Sequence, residues 1–509
     1  MDIWIKAAQF ILSLSLLVIL HEFGHFIPAK LFKTRVEKFY LFFNPWFSLF
    51  KKKIGDTEWG IGWLPLGGFV KISGMVDESM DKEQLAQPAQ PWEFRSKPAW
   101  QRLIIMLGGV FVNVVVGFVI YIGVVLYFGE DRINPNDLKD GMAVHPILSK
   151  YGLNSGDVII ALDDKKVNNI TEINIELFLR GKRKITVKHK NGKIENIILP
   201  NEIDRYIFEN SAFNSFSIRQ ESTTIKGFAA LNKLELKKKS IKTGDLLLSI
   251  NDHKLTDTND IRALITSKKP ISIQWLNGND TLKDIVPSQN IQALKKVFPL
   301  VLNNLKVNDK IIAVNNVDIK YYDELYNYLY NNRGGKINVK IQRGDQILFQ
   351  DLDVTKEATL GYIKDTIGFI DKNAVKHYNF SFGESINVGV HKAYNSLHDY
   401  IVQMKYIFTS KGASSLGGFA SMGNMFSSTW DWEDFWLKTA WISLALAFMN
   451  LLPIPALDGG HVVFLLYEMI TGKEAPQKVL EIAQYVGIVL LLSLMLYANG
   501  NDVYRIFFK

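Results

Sequence analysis

Apolar residues gather in four runs near the two ends of the chain. Ala7–Ala29 carries only His21, Glu22 and His25 as ionisable residues. Leu103–Gly129 has none and is bounded by Arg102 and Glu130. Thr439–Leu457 follows Lys438 and meets Asp458, and Ile482–Asn501 ends at Asp502. A helix needs ~20 apolar residues to cross a hydrocarbon core, so the pattern predicts about four transmembrane helices. The first run is read as retained rather than as a cleaved signal, because its apolar part is long and no small-residue cleavage site follows it.

The middle of the chain, roughly 131–380, has a different texture, and it repeats. Asn154-Ser-Gly-Asp-Val-Ile-Ile-Ala-Leu-Asp163 matches Lys242-Thr-Gly-Asp-Leu-Leu-Leu-Ser-Ile-Asn251. Val307-Asn-Asp-Lys-Ile-Ile-Ala-Val-Asn315 is a third copy that lacks the glycine. Each is a polar turn, a short apolar strand and a second polar turn. Helix-like stretches (Asp257–Thr266, Tyr322–Tyr330) and alternating strands (Lys184–Lys190, Ile337–Gln342) follow. The pattern resembles the PDZ fold, whose members bind extended peptides at a sheet edge; an unrelated small αβ repeat is the alternative. Expected units are 131–208, 213–290 and 291–371, the last either a third unit or part of the second.

Two further stretches stand out. Gly55–Met75 is β-favouring and punctuated by Gly60, Gly62, Pro65, Gly67 and Gly68, which predicts a β-hairpin over 54–75. Such backbone reaches membrane depth only if its polar groups are paired or line a wet cavity; an ordinary cytoplasmic hairpin is the bland reading. Ile386, Val390, Leu397, Ile401 and Met404 recur at helical spacing within 380–430 and predict an amphipathic helix lying on the membrane surface. Its His391 and His398 read as exposed polar residues. Gly412, Gly417, Gly418 and Gly423 mark a flexible or re-entrant stretch before the third span.

Composition narrows the chemistry. There is no cysteine among the 509 residues, which excludes disulfides, thiolate metal sites and a cysteine nucleophile. Net charge is +8, but the lysines are dispersed and no nucleic-acid motif accompanies them, so the partners expected are lipid and protein, not nucleic acid. Basic residues between the first two spans (Lys33, Arg35, Lys38, Lys51, Lys52, Lys53, Lys71, Lys82, Arg95, Lys97) favour a cytoplasmic loop, which puts the insert outside the cytoplasm.

The candidate chemistry sits where polar groups interrupt apolar runs. His21-Glu22-Phe23-Gly24-His25 is an HExxH motif. Residues i and i+4 share a helix face, so both imidazoles can reach one ion, and the Glu is placed to take a proton from water. Ionisable residues inside a span are functional by default. The third ligand a catalytic zinc needs is best supplied by Asp458, in Asn450-Leu-Leu-Pro-Ile-Pro-Ala-Leu-Asp-Gly-Gly-His461, with His461 as its rival.

Together these segments resemble the site-2 protease family of intramembrane zinc metalloproteases, and within it the bacterial regulator-of-sigma-E (RseP) type. HEFGH matches the family's HExxH, and Asn450–Gly460 its N-x-x-P-x-P-x-x-D-G-G. Gly108-Gly-Val-Phe-Val-Asn113 is similar to its G-P-x-x-N element, with Gly109 where proline is usual. Leu64-Pro-Leu-Gly-Gly-Phe-Val-Lys71 resembles its substrate-pairing hairpin, and Ser415-Leu-Gly-Gly418 the segment before the third span. The family usually carries two PDZ domains, so the insert departs from it.

The resemblance implies an α-helical integral membrane protein with a membrane-associated β-hairpin and an extracytoplasmic α+β insert of tandem PDZ-like domains. The expected parts are a first span over 1–32, a cytoplasmic loop over 33–100, spans over 101–129, 434–468 and 480–501, and location in a cell inner membrane. It implies Zn²⁺ on His21, His25 and Asp458, Glu22 as catalytic base, and substrate contacts from Asn450, Gly60, Gly62, Leu64, Gly67 and Gly68. Expected substrates are single-span membrane proteins already trimmed outside, such as an anti-sigma factor. The insert is expected to restrict access, by exclusion more than by capture. Two alternatives remain at this point: a non-proteolytic PDZ scaffold, and an HExxH membrane protease resembling Ste24 or HtpX, which use a Glu ligand.

Overall fold

The computed structural model describes residues 2–65, 67–75, 87–221, 223–231, 233–236, 239–242, 244–254, 270–277, 280–298, 305–364 and 374–508. The chain divides into two compact units, Met1–Glu130 with Tyr378–Phe508, and Asp131–His377.

The first unit is a helical bundle carrying a small sheet. Its helices are α1 (Asp2–Leu31), α2 (Ala99–Phe128), α3 (Phe382–Ile407), α4 (Trp432–Leu451), α5 (Asp458–Thr471) and α6 (Gln477–Phe508). Three are long and apolar enough to cross a membrane: α1 over Trp4–Leu31, α2, and α6 over Gln477–Arg505. The span expected over 434–468 is two helices, broken at the prolines. The backbone leaves helical geometry after Leu451, because Pro453 and Pro455 cannot donate to the helical ladder, and resumes at Asp458.

α2 is the hub and packs against α1, α3, α4 and α5. It meets α1 backbone to backbone. A Cβ on Gly24 would run into the Gly108 carbonyl, and a Cβ on Gly108 into the Gly24 carbonyl, so the two backbones touch where both side chains are missing. α3 begins with a capping box, Ser381 accepting from the Glu384 N–H and Glu384 from the Ser381 N–H. It packs on α2 and α4 rather than standing apart. Its small and polar residues Ser385, Gly389 and Ala393 are buried, while Ile386, Val390 and Ile401 of the expected apolar stripe are exposed. The helix is inverted relative to a helix packing in water, as suits one whose outer face meets lipid.

The sheet comprises β1 (Val36–Leu41), β2 (Phe50–Ile54), β3 (Thr57–Ile61) and β4 (Phe69–Ile72), in the order β2-β3-β1-β4. This corrects the expected 54–75 hairpin. The strands β3 and β4 do not pair with each other; they flank β1, parallel and antiparallel respectively, and the tight hairpin is β2–β3. Apolar burial decides it, since Phe39, Val70 and Ile72 join Ala29, Ile105, Met106, Val462 and Leu465 in one core. β1 therefore has to be central, and β4 is left with an outer edge.

The second unit contains the repeat three times. The first copy holds β5 (Met142–Val144), β6 (Val158–Leu162), β7 (Lys184–Lys188), β8 (Ile194–Ile198) and β9 (Phe216–Ile218). After β10 (Ile225–Ala229) come β11 (Leu246–Ile250), β12 (Ile271–Asn277) and β13 (Asp280–Val286), then β14 (Lys310–Val314), β15 (Lys336–Arg343) and β16 (Gln346–Asp353). The strand orders β8-β7-β6, β13-β12-β11 and β16-β15-β14 are the same. The helix between the strands is Ile170–Phe178 in the first copy and Tyr322–Asn331 in the third; its expected counterpart Asp257–Thr266 lies outside the described residues.

The sequence pattern has a physical cause. Asp157, Asp245 and Asp309 are buried, and each accepts the N–H three residues earlier, at 2.9, 2.9 and 2.8 Å. Each first strand ends in two consecutive left-handed residues, Asp163-Asp164, Asn251-Asp252 and Asn315-Asn316, which turn a tight hairpin. The residue before the buried Asp is also left-handed: Gly156 at φ 99°, Gly244 at 93°, and in the third copy Asn308 at 75°. Asn is one of the few side-chain-bearing residues that take this conformation, which explains how the third copy manages without glycine.

Copies two and three share one hydrophobic core, distinct from that of copy one. They also share a strand. Ala230, just past β10, exchanges hydrogen bonds with Gly244 and Asp245, and Ile225, at the start of β10, does so with Asn308 and Asp309. In copy one Met142 of β5 plays that part alone, with Gly156 and Asp157.

Replacing Asn308 should test the repeat. Asn308→Gly should leave the third copy intact, whereas Asn308→Val should cost about 1–2 kcal/mol. Hydrogen exchange at the β14 amides in the full chain should report faster opening in the valine variant only.

Candidate metal centre

α1 delivers His21, Glu22 and His25 to the interior of the first unit. The Leu452–Leu457 loop delivers Asp458 at the first position of α5. That loop is held by α6 at two points. Gln484 of α6 accepts from the Ala456 N–H at 3.1 Å, and Ala456 itself is left-handed at φ 78°. A Cβ on Gly487 of α6 would strike the Pro455 carbonyl, so α6 lies directly against the loop.

The three donor atoms form a nearly equilateral triangle. His21 Nε2 is 3.4 Å and His25 Nε2 3.5 Å from Asp458 Oδ2, and the two imidazole nitrogens are 3.2 Å apart. Ligands at ~2.0–2.2 Å in a tetrahedron stand about 3.3 Å from one another, so the residues fit a zinc ion. Asp458 Oδ2 is buried and has no hydrogen-bond partner, a costly state that a cation would relieve. Among the described residues this is the one cluster of three such donors. His461 lines the same cavity but lies outside the cluster.

The surroundings are contributed by α2, α4 and the sheet. His25 Nδ1 meets the Ile105 carbonyl at 2.8 Å. Asn113 Nδ2 lies 3.2 Å from His21 Nδ1, and Asn450 Nδ2 lies 3.3 Å from His21 Nε2. A Cβ at Gly109 would collide with both imidazoles. Position 109 therefore cannot host the proline that the family element was matched to; Gly109 and Asn113, four residues apart, are the pair that faces the site. Glu22 is buried, and Val70 of β4 lines the same cavity.

All of this opens on a cavity of about 840 Å³. Leu64, Gly67, Gly68 and Asn450 line it, along with His21, Glu22, His25 and Asp458. Gly60 and Gly62 do not; they pack against Tyr40 and against the backbone at Phe42 and Phe43. Gln484 also lines the cavity. Sequence reasoning passed it over, although an amide early in the apolar run of α6 is the kind of signal that could have flagged it.

An HExxH helix, a half-buried acid completing a cluster of three donors and a wide cavity inside an apolar bundle define a membrane zinc metalloprotease. The sequence model of peptidase family M50, the site-2 proteases, matches residues 9–494, and the chain belongs to that family. Its relatives run nearly end to end with it. A Thermotoga maritima protein is 24% identical over 97% of this chain and 98% of its own length. One from Rickettsia conorii is 25% identical over 98% of each. One from Vibrio cholerae is 25% identical over 99% of this chain and 100% of its own. All three are named “Putative zinc metalloprotease”. Family membership sets aside both the scaffold and the Ste24- or HtpX-like alternatives.

Gly109→Ala should push both imidazoles from the Asp458 carboxylate. Zinc content of the purified protein should fall well below that of wild type while the helix content is kept; full occupancy would mean that α1 and α2 can separate without cost.

Proposed function

We propose that this chain cuts single-span membrane proteins inside the bilayer, with zinc held by His21, His25 and Asp458 and with Glu22 as the general base. The observation that carries the reading is the triangle of donor atoms, brought from opposite ends of the chain into one cavity between apolar helices.

Bound zinc supplies a Lewis acid that polarises the scissile carbonyl and acidifies a water molecule. Glu22 takes the proton of that water and returns it to the leaving amine. Asn450, one residue before α4 ends, donates to the substrate backbone and holds it beside the metal. A helical substrate offers no free backbone amides, so it has to unwind first. The outer edge of β4 suits an added strand, because Gly67 and Gly68 line the cavity there.

In this reading α1, α2, α4 and α6 are four spans of an inner-membrane protein. The Lys- and Arg-rich segment between α1 and α2 is cytoplasmic, and the second unit lies outside. The exposed aromatics Trp46, Phe47 and Trp63, stacked on one another beside the sheet, suit the membrane–water boundary. The substrate is a membrane protein already trimmed outside, of the anti-sigma-factor kind, and its cleavage releases a regulator.

The second unit acts as a filter of PDZ-like domains that excludes bulky outer domains. Asn174 favours exclusion over capture. On β9, Phe216 turns its N–H and C=O away from β5, and the Asn174 amide takes both, at 2.9 and 2.7 Å. An incoming peptide strand would have to displace it.

Glu22→Gln should keep zinc and lower turnover by ~10²–10⁴-fold, read as cleavage of a reconstituted substrate; activity within a few-fold of wild type would remove Glu22 from the mechanism. Asp458→Ala should lose both zinc and cleavage. Replacing residues 141–355 with a short linker should let a substrate with an intact outer domain be cut while the trimmed one is cut as before. Slower cutting of the trimmed substrate would favour capture instead.

A further inference from the structure

We propose that Asn113 is a positioning residue that fixes the tautomer of His21, by presenting its side-chain oxygen to the ring's Nδ1–H. The inference rests on the ligand reading above and extends it to a residue that touches no metal.

α2 faces the two imidazoles with residues Ile105, Gly109 and Asn113, spaced i, i+4 and i+8 and therefore on one face. Gly109 provides the room. Ile105 and Asn113 provide the polar partners, one for each ring. The Ile105 carbonyl can only accept, so His25 Nδ1 must carry the proton and His25 Nε2 is left with a bare lone pair. That is the nitrogen beside Asp458.

His21 needs the same arrangement. Its Nε2 is the atom in the donor triangle. A lone pair there requires the proton on Nδ1, and a proton on Nδ1 requires an acceptor opposite it. The residue opposite is Asn113, whose Nδ2 stands 3.2 Å away while its Oδ1 is buried without a partner. A nitrogen facing Nδ1 would hold the proton on Nε2 and disable the ligand. The two ends of an amide have nearly the same shape, and their assignment follows from the hydrogen-bond network. Turning the amide by half a rotation gives the orphan oxygen its donor and frees His21 Nε2. The NH₂ group then points toward the cavity that Asn113 lines.

The residue is held for this task. Asn113 is 1% exposed, and its backbone carbonyl accepts from Ser443 Oγ of α4 at 2.7 Å. α4 thus ties down the stretch of α2 that orients the ring. Partners of this type typically contribute 10–100-fold in metal affinity.

The test compares zinc affinity, by competition with a chromophoric chelator, for wild type, Asn113→Leu, Asn113→Asp and His21→Ala, each purified in detergent and checked for unchanged helix content. Leucine offers no acceptor, so Asn113→Leu should bind zinc 10–100-fold more weakly. Asn113→Asp offers only acceptors and should bind within a few-fold of wild type. The visible bands of the cobalt-substituted protein should be preserved in the aspartate variant and changed in the leucine variant. Equal affinity in Asn113→Leu and wild type overturns the proposal and leaves the ligand assignment standing. So does an aspartate variant as weak as leucine, because it would mean that nitrogen faces the ring. If His21→Ala binds as tightly as wild type, His21 is no ligand and both readings fall.

Discussion

Two backbones meet at Gly24 and Gly108, and the chemistry of the protein depends on that contact. In lipid no hydrophobic force pulls helices together, so association relies on close packing and polar contacts. With side chains on either glycine, α1 would stand off from α2, and His25 would lose its reach to the Ile105 carbonyl. The same approach brings Gly109 under the two rings. A site made of polar groups in an apolar bundle thus rests on the absence of side chains at three positions.

The polar groups so gathered form a nearly closed set. Each of His25, Asn450 and Asn113 finds a partner within the bundle. Asp458 Oδ2 and Asn113 Oδ1 are the members left over. Unpaired buried oxygens are rare in native proteins and call for an explanation. Here the first points to a cation and the second to an amide turned the other way. The loop that carries Asp458 is braced by Gln484 rather than by its own helix, so α6 also takes part in the site without offering a ligand.

Much of this was legible in the sequence, for a simple reason. Polar residues are conspicuous in apolar runs, so His21, Glu22, His25 and Asp458 declared themselves, and the segment around each resembled one family. What was not legible depends on partners distant in the chain. β1 went unseen because Val36–Leu41 sits among Arg35, Glu37 and Lys38, and its central place is set by β3 and β4 on either side. The stripe on α3 was found at the right spacing and read for a surface helix. Its small residues Ser385, Gly389 and Ala393 are buried against the bundle, and Ile386, Val390 and Ile401 are left exposed. The third repeat looked incomplete because only the backbone reveals that Asn308 stands in the conformation of Gly156 and Gly244.

The strand held in common by the second and third repeats has a mechanical meaning. Three repeats in series would be three beads able to tilt independently. Because β10 is grasped at one end by Gly244 and Asp245 and at the other by Asn308 and Asp309, two of them have no hinge between them. A pull on either is borne by the same hydrogen bonds and the same core, so neither can be lost or swapped by cutting the chain between them. The first repeat keeps its own core and its own β5, yet Arg219 just past β9 pairs with Asp323 and Glu324 of the third, so it is tied to the pair by charge rather than by a shared strand.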